Sequence, residues 1–156
     1  MRAGDSLALR CSAKINLYLA VTGARDDGYH DIETFFQPVS IYDSVRLTLS
    51  GGGISLSGDD PAIPWDSTNL CHRAAAELRA AAGYDGGISI EVRKEIPHGA
   101  GLGGGSSDAA AVLFGLDALL GAGLGRDKLM ELGLRIGSDV PFFLSGGPAI
   151  GRGRGE

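Results

Sequence analysis

The chain is poor in the residues that staple a protein, anchor it in a membrane or give it a basic surface. It has two cysteines, Cys11 and Cys71, in 156 residues. They form no C-x-x-C pair and no histidine cluster stands beside either, so two reduced thiols are expected. No apolar run approaches the ~20 residues of a membrane-spanning helix. Asp5, Arg10 and Lys14 interrupt the apolar residues near the start, which argues against a secretory signal. The expected location is the cytoplasm. No run of Lys and Arg occurs, and the formal net charge is −5. Such a chain is a poor partner for nucleic acid or an anionic membrane. A small anionic ligand stays open, because backbone N–H groups hold an anion without net positive charge.

What the chain has in abundance is glycine, 26 in all, several of them in one loop. Otherwise 44% hydrophobic and 21% charged residues fit an ordinary globular domain, long enough to bury a core without staples.

Hydrophobic periodicity sets the elements. Residues 7–22 read as a strand, with Lys14, Asn16 and Tyr18 on one side and Ile15, Leu17 and Leu19 on the other. Arg25–Gly28 is a turn cluster. Two further strands are expected around Thr34–Val39 and Ser44–Leu49, and a short one at Ile54–Leu56. Asp66, Ser67 and Thr68 offer N-caps for a helix reaching about Ala82 and closed by Gly83. Ile88, Ile90 and Val92 alternate with polar residues in a half-exposed strand. After the loop Pro97–Gly105 come a helix with Ala109, Val112, Leu113, Leu116 and Leu120 on one face, and another over Arg126–Ile136. Runs of antiparallel strands with a few interleaved helices predict an α+β fold rather than a regular βαβ array.

The loop carries five glycines in positions 99–105, between a strand and a helix. Without Cβ atoms the backbone approaches a ligand closely and aims successive N–H groups at one spot. The following helix adds unpaired N–H groups and the positive end of its dipole. This is a phosphate site, or else a flexible tip with no ligand. Ser106 and Ser107 are placed to cap the helix, donate to a phosphate oxygen or reach Mg²⁺. Gly99, Gly101 and Gly104 also satisfy G-x-G-x-x-G. The second parallel strand of a dinucleotide fold is missing, since residues 122–136 look helical. The G-x-x-x-x-G-K-[ST] loop is excluded because no lysine lies in this segment.

The run from Lys94 to Ala110, which includes Pro97-His98-Gly99-Ala100-Gly101-Leu102-Gly103-Gly104-Gly105-Ser106-Ser107-Asp108, resembles the ATP-phosphate motif of the GHMP kinases. That superfamily includes galactokinase, homoserine kinase, mevalonate kinase and phosphomevalonate kinase. Two other segments agree: Ala13–Leu17 with Thr22-Gly23 and Asp27–His30, and Gly137–Phe143. Together they are most similar to the branch that phosphorylates a hydroxyl of a cytidine diphosphate sugar alcohol in isoprenoid precursor synthesis. The resemblance implies an α+β domain whose mixed sheet packs against helices with the glycine loop over the nucleotide, and ATP as co-substrate with Mg²⁺. Sister kinases acting on homoserine or mevalonate, and a module that binds ATP without transfer, are the alternatives.

The resemblance also implies roles. Asp139 would accept the hydroxyl proton, and Lys14 beside it would orient the acceptor and offset charge. An ordinary aspartate is a weak base, which suits a late proton transfer. Read without the resemblance, Asp139 is equally a turn or cap residue, and Lys14 a solvent-facing lysine. Asn16 would hydrogen-bond the acceptor. Tyr29 would stack on cytosine, and His30 would bond its polar edge; without the resemblance they are a surface aromatic and an exposed histidine. Asn69 and Lys94 are weaker candidates for adenine, against a helix-start residue and a solvated charge. Members of the family are roughly twice this length. The expected organisation is therefore residues 1–156 as the N-terminal, ATP-binding domain, with the family's C-terminal domain absent.

Overall fold

In the computed structural model, which describes residues 2–24 and 30–153 and all of their side chains except those of 24, 30 and 32, two long strands organise the sheet. β1 (Ser6–Ala24) pairs antiparallel with β2 (His30–Ser50). β2 pairs antiparallel with β4 (Gly87–Arg93) through its second half, and with the short β5 (Ala149–Gly151) at Thr34–Phe36. β3 (Ile54–Gly58) runs parallel to β4, giving the order β1-β2-β4-β3 with β5 beside β2. The α+β expectation therefore holds.

Two strands were expected where β2 is one. Tyr42 pairs with Ser12 and Val39 with Ala13, so Ser40 and Ile41 have no counterparts on β1. The break in alternation there is a bulge, which bends a strand without ending it. A second irregularity follows Asn16, which pairs with Phe36 while Tyr18 pairs with Phe35. The extra residue, Leu17, ends the regular alternation expected through Leu19, and Leu17, Tyr18 and Leu19 are all exposed.

The helices are α1 (Leu70–Ala81), α2 (Gly104–Leu120), α3 (Arg126–Ile136) and α4 (Val140–Ser145). Val45, Leu47, Ile88 and Ile90 of the sheet meet Ala74 and Leu78 of α1 and Leu113 and Leu116 of α2 in one core. α2 lies in the middle, touching α1, α3, α4, β1 and β2. Gly115 permits this, since a Cβ there would stand 2.6 Å from Leu47 Cδ1 and 2.7 Å from Leu9 Cδ1. α3 occupies the segment where a dinucleotide fold needs its second parallel strand.

The start of α1 corrects the expectation. Asp66 Oδ1 accepts from the N–H of Thr68 at 2.8 Å and its hydroxyl at 2.6 Å, forming a turn of its own. The cap passes to Asn69, whose Oδ1 accepts from Cys71 N at 2.9 Å.

Candidate active site

The segment from Pro97 to Gly103 leaves β4 and enters α2 along one wall of a cavity of about 510 Å³. Gly99, Gly101 and Gly103 each have φ of 73°, a left-handed conformation that glycine adopts without steric cost. The loop is tied to β1, where Lys14 N–H donates to Leu102 O at 2.9 Å. α2 begins one residue earlier than the loop was expected to end. Its cap is Gly103, and no side chain caps it. The serines are therefore not caps: Ser106 sits in the first turn and lines the cavity, whereas Ser107 is buried and does not. Ser107 N donates to Gly103 O at 2.9 Å, so the N–H groups of Gly104, Gly105 and Ser106 have no acceptor within the helix.

Lys14 and Asp139 meet at the same cavity. Lys14 Nζ lies 3.4 Å from Asp139 Oδ2, with 8% and 29% of the two side chains exposed. Asp139 occupies the position before α4, but its carboxylate makes no capping bond, so it is not spent on the helix. Nor is Lys14 a solvent-facing lysine. Its Nζ donates to Asn16 Oδ1 at 2.8 Å and stands 4.8 Å over the Phe36 ring. Asn16 Nδ2 donates to Thr34 Oγ1 at 2.7 Å, and that hydroxyl donates to Tyr18 O at 2.7 Å. This chain of bonds orients the ammonium toward Asp139. Asn16 itself is exposed.

Pro97 to Ser106, Asn69, Lys94, Lys14 and Asp139 all line the one cavity. Asn69 is held at both ends, capping α1 and donating to Pro64 O at 2.9 Å. Tyr29 lies outside the described residues; His30 begins β2, opposite Ala24, and its side chain lies outside the description.

Lys94 is not a solvated charge. Its Nζ pairs with Asp43 and with Asp108 Oδ2, the latter at 2.7 Å. Burial pulls the ammonium down, but Asp108 and Asp43 outweigh it and hold Lys94 above the ordinary lysine value. Burial pushes the Asp108 carboxyl up to about 6 against the pull of Lys94, with Asp43 adding to the rise. Asp108 Oδ1 is buried without a hydrogen-bond partner. Burial also pushes up the thiols of Cys11 and Cys71, which keeps both protonated.

Sequence reasoning missed Asp43, Asp108 and the apolar wall of Ile63, Pro64, Trp65 and Leu70. The available signal was an acid bordering apolar residues: Asp43 follows Ile41-Tyr42, and Asp108 precedes three alanines. Such acids need a buried cation.

An α+β fold with a glycine loop at the start of α2, and a Lys/Asp pair facing that loop, is the arrangement expected of a GHMP kinase N-terminal domain. The chain belongs to the GHMP kinases: residues 69–147 match the GHMP kinases N terminal domain. A 4-diphosphocytidyl-2-C-methyl-D-erythritol kinase from Leifsonia xyli subsp. xyli (strain CTCB07) is 44% identical over 160 residues, covering 97% of this chain and 51% of that protein. The protein of the same name from Kineococcus radiotolerans is 48% identical over 156 residues, covering 97% and 48%. A crystal structure of 4-(cytidine 5'-diphospho)-2C-methyl-D-erythritol kinase superposes with a TM-score of 0.83 at 43% identity, over 96% of this chain and 53% of that one. Homoserine kinase from Cytophaga hutchinsonii, at 21% identity and a TM-score of 0.64, shares the fold. The chain thus spans about half the length of the curated relatives it matches. Among the described residues, no helix is long and apolar enough to cross a membrane.

Proposed function

We propose that this chain, residues 1–156 as one N-terminal domain, binds ATP and carries the catalytic pair of a kinase acting on 4-diphosphocytidyl-2-C-methyl-D-erythritol in the non-mevalonate isoprenoid pathway. The observation that carries the reading is the Lys14–Asp139 pair, 3.4 Å apart at the cavity bounded by the glycine loop. Relatives bearing that kinase's name at 44% and 48% identity support the choice of acceptor over homoserine or mevalonate.

In the proposed step the acceptor hydroxyl gives its proton to Asp139. Its oxygen bonds to the γ-phosphorus, the bond from that phosphorus to the β–γ bridging oxygen breaks, and ADP leaves. Lys14 orients the hydroxyl and offsets negative charge as the oxygen attacks. The free N–H groups of Gly104, Gly105 and Ser106 hold phosphate oxygens at the positive end of α2. Asn16 positions the acceptor, while Tyr29 stacks on cytosine and His30 bonds its edge. Asn69, on the adenine side, completes the assignment; the ammonium of Lys94 is taken up by Asp43 and Asp108 and is left out of it.

Among the described residues no group of three or more His, Cys, Asp or Glu could cage a metal ion. Ser106 and Asp139 offer oxygen donors to the cavity. That set fits a Mg²⁺ ion that arrives with the nucleotide and keeps most of its shell as water and phosphate oxygens. When bound, the ion neutralises phosphate charge.

The test is ADP release from ATP with 4-diphosphocytidyl-2-C-methyl-D-erythritol, for this chain and for a version extended to the length of its relatives. Acceptor-dependent release, competed by cytidine nucleotides, supports the reading. Release driven equally by homoserine or mevalonate overturns the substrate. ATP binding without release in either version leaves a nucleotide-binding module.

A further inference from the structure

Beneath the loop lies a charged cluster that the proposed chemistry does not use. Asp43 stands on β2, Lys94 just past β4, and Asp108 in α2. Asp43 Oδ1 accepts the N–H of Glu95 at 2.6 Å and that of Ile96 at 2.8 Å, while Oδ2 pairs with Lys94 Nζ. The same Nζ reaches Asp108 Oδ2 at 2.7 Å. The three side chains are almost wholly buried, with exposures of 0%, 7% and 4% in chain order. The residues before the loop and the helix after it are thus tied to one lysine, and through it to β2. Gly104 rests on the cluster: a Cβ there would stand 3.2 Å from Lys94 Nζ and 3.3 Å from Asp43 Oδ2.

We propose that Asp43, acting through Lys94, is a positioning residue for the glycine loop: it fixes both ends of the loop to β2 and so aims the N–H groups at the start of α2. This rests on the reading of those groups as a phosphate site. Only a carboxylate serves at position 43, because donors converge on both of its oxygens. An asparagine in either orientation turns its NH₂ toward another donor, and a buried donor without an acceptor is costly.

The charge of the cluster makes the sign of the effect decisive. Two carboxylates and one ammonium leave one net negative charge under an anion site. Coulomb's law alone therefore has Asp43→Asn binding ATP more tightly. Positioning requires the opposite. Lys94→Arg is the second variant, since it keeps the charge but no longer places a single nitrogen between the two carboxylates.

Trp65, the one tryptophan, lines the cavity and reports binding by fluorescence. ATP and adenosine are titrated into the unaltered chain and both variants. In each variant the ATP dissociation constant is expected to rise roughly tenfold, the scale of one lost charge-assisted hydrogen bond, with adenosine affinity nearly unchanged. Hydrogen exchange, which needs no ligand, is expected to accelerate over residues 94–107 and not in α3. Unchanged or tighter ATP binding, an equal loss for adenosine, or exchange accelerated evenly over the chain would overturn the proposal. If the unaltered chain binds no ATP, the phosphate reading fails, and the exchange pattern alone decides whether Asp43 holds the loop.

Discussion

Replacing Asp108 by asparagine separates two forces acting on one carboxyl. Burial raises its pKa and Lys94 lowers it, and the balance moves it from 3.8 to about 6. A fold that holds a proton more tightly than the unfolded chain is most stable below the unfolded value. It loses that advantage as pH rises through the folded value. At about 1.4 kcal/mol per pH unit, the shift from 3.8 to about 6 corresponds to an upper bound of roughly 3 kcal/mol lost on raising the pH through that window. Asp108→Asn removes this titration. Its carbonyl still accepts from Lys94, and its NH₂ takes the place of Oδ1, which has no partner now. The buried NH₂ carries a cost of its own, but that cost does not vary with pH. Urea unfolding in metal-free buffer at several pH values between about 4.5 and 7.5 reads the difference between the two proteins. The unaltered chain is expected to lose ground to the variant as pH rises, most of it below about pH 6.5. At roughly 2–4 °C per kcal/mol for a domain of this size, the effect is also visible in melting temperatures. A difference independent of pH, or one that grows in favour of the unaltered chain, would show that Lys94 outweighs burial and would refute the reasoning.

Three further outcomes test the site. Gly105→Ala is expected to keep the fold and weaken ATP binding about tenfold, because its Cβ meets only Leu70 Cδ1, at 3.8 Å, and otherwise projects where phosphate approaches the backbone. Gly103→Ala is the contrasting variant: with φ at 73° and Phe143 Cζ 2.8 Å from the new Cβ, it is expected to lower the melting temperature as well. Equal affinities for Gly105→Ala and the unaltered chain, measured by Trp65 fluorescence, would return the loop to a ligand-free tip. Asp139→Asn, in a version extended to the length of its relatives, is expected to abolish ADP release and leave ATP affinity intact; near-normal turnover sinks the base assignment. Tyr29→Ala is expected to raise KM for the cytidine substrate about ten- to hundredfold and leave that for ATP alone, as loss of one base stack implies. An equal rise for both would make Tyr29 structural.

Much of this architecture is legible in the chain because local rules and packing agree. α3 was bounded correctly at Arg126 and Ile136, where apolar spacing and a terminal glycine coincide. Elements were misjudged where a local signal was ambiguous. The interrupted pattern at Ser40-Ile41 fits a turn or a bulge, and only the pairing with β1 decides. Asp66, Ser67 and Thr68 are all good caps, but Asp66 bonds Thr68 and the helix starts after Asn69. Lys14 and Asp139 could be named from their motifs, although their 3.4 Å approach depends on β1 and α4, which are far apart in the chain. Asp43 was illegible as a partner of Lys94 for the same reason. The two lie 51 residues apart, and sequence alone does not say which of several acids a lone lysine will meet.

In the proposed function an acidic chain builds an anion site, and the placement of the two lysines bears on how. The ammonium of Lys94 is consumed by Asp43 and Asp108, and that of Lys14 faces Asp139. The side chains around the cavity therefore supply little net positive charge. Attraction for phosphate must come instead from the unpaired N–H groups at the start of α2 and from its dipole, which act within a few ångströms and only in one direction. A directional site of that kind depends on aim more than on charge. Gly103 and Gly104 serve the aim: a Cβ on the first would meet Phe143 and Lys14, and one on the second Lys94 and Asp43. The start of α2 is thus wedged between the two lysines, one beside Asp139 and one in the buried cluster. A shift of the helix start would disturb both at once, so in the proposed function phosphate binding and placement of the acceptor hydroxyl are set by the same few ångströms of backbone.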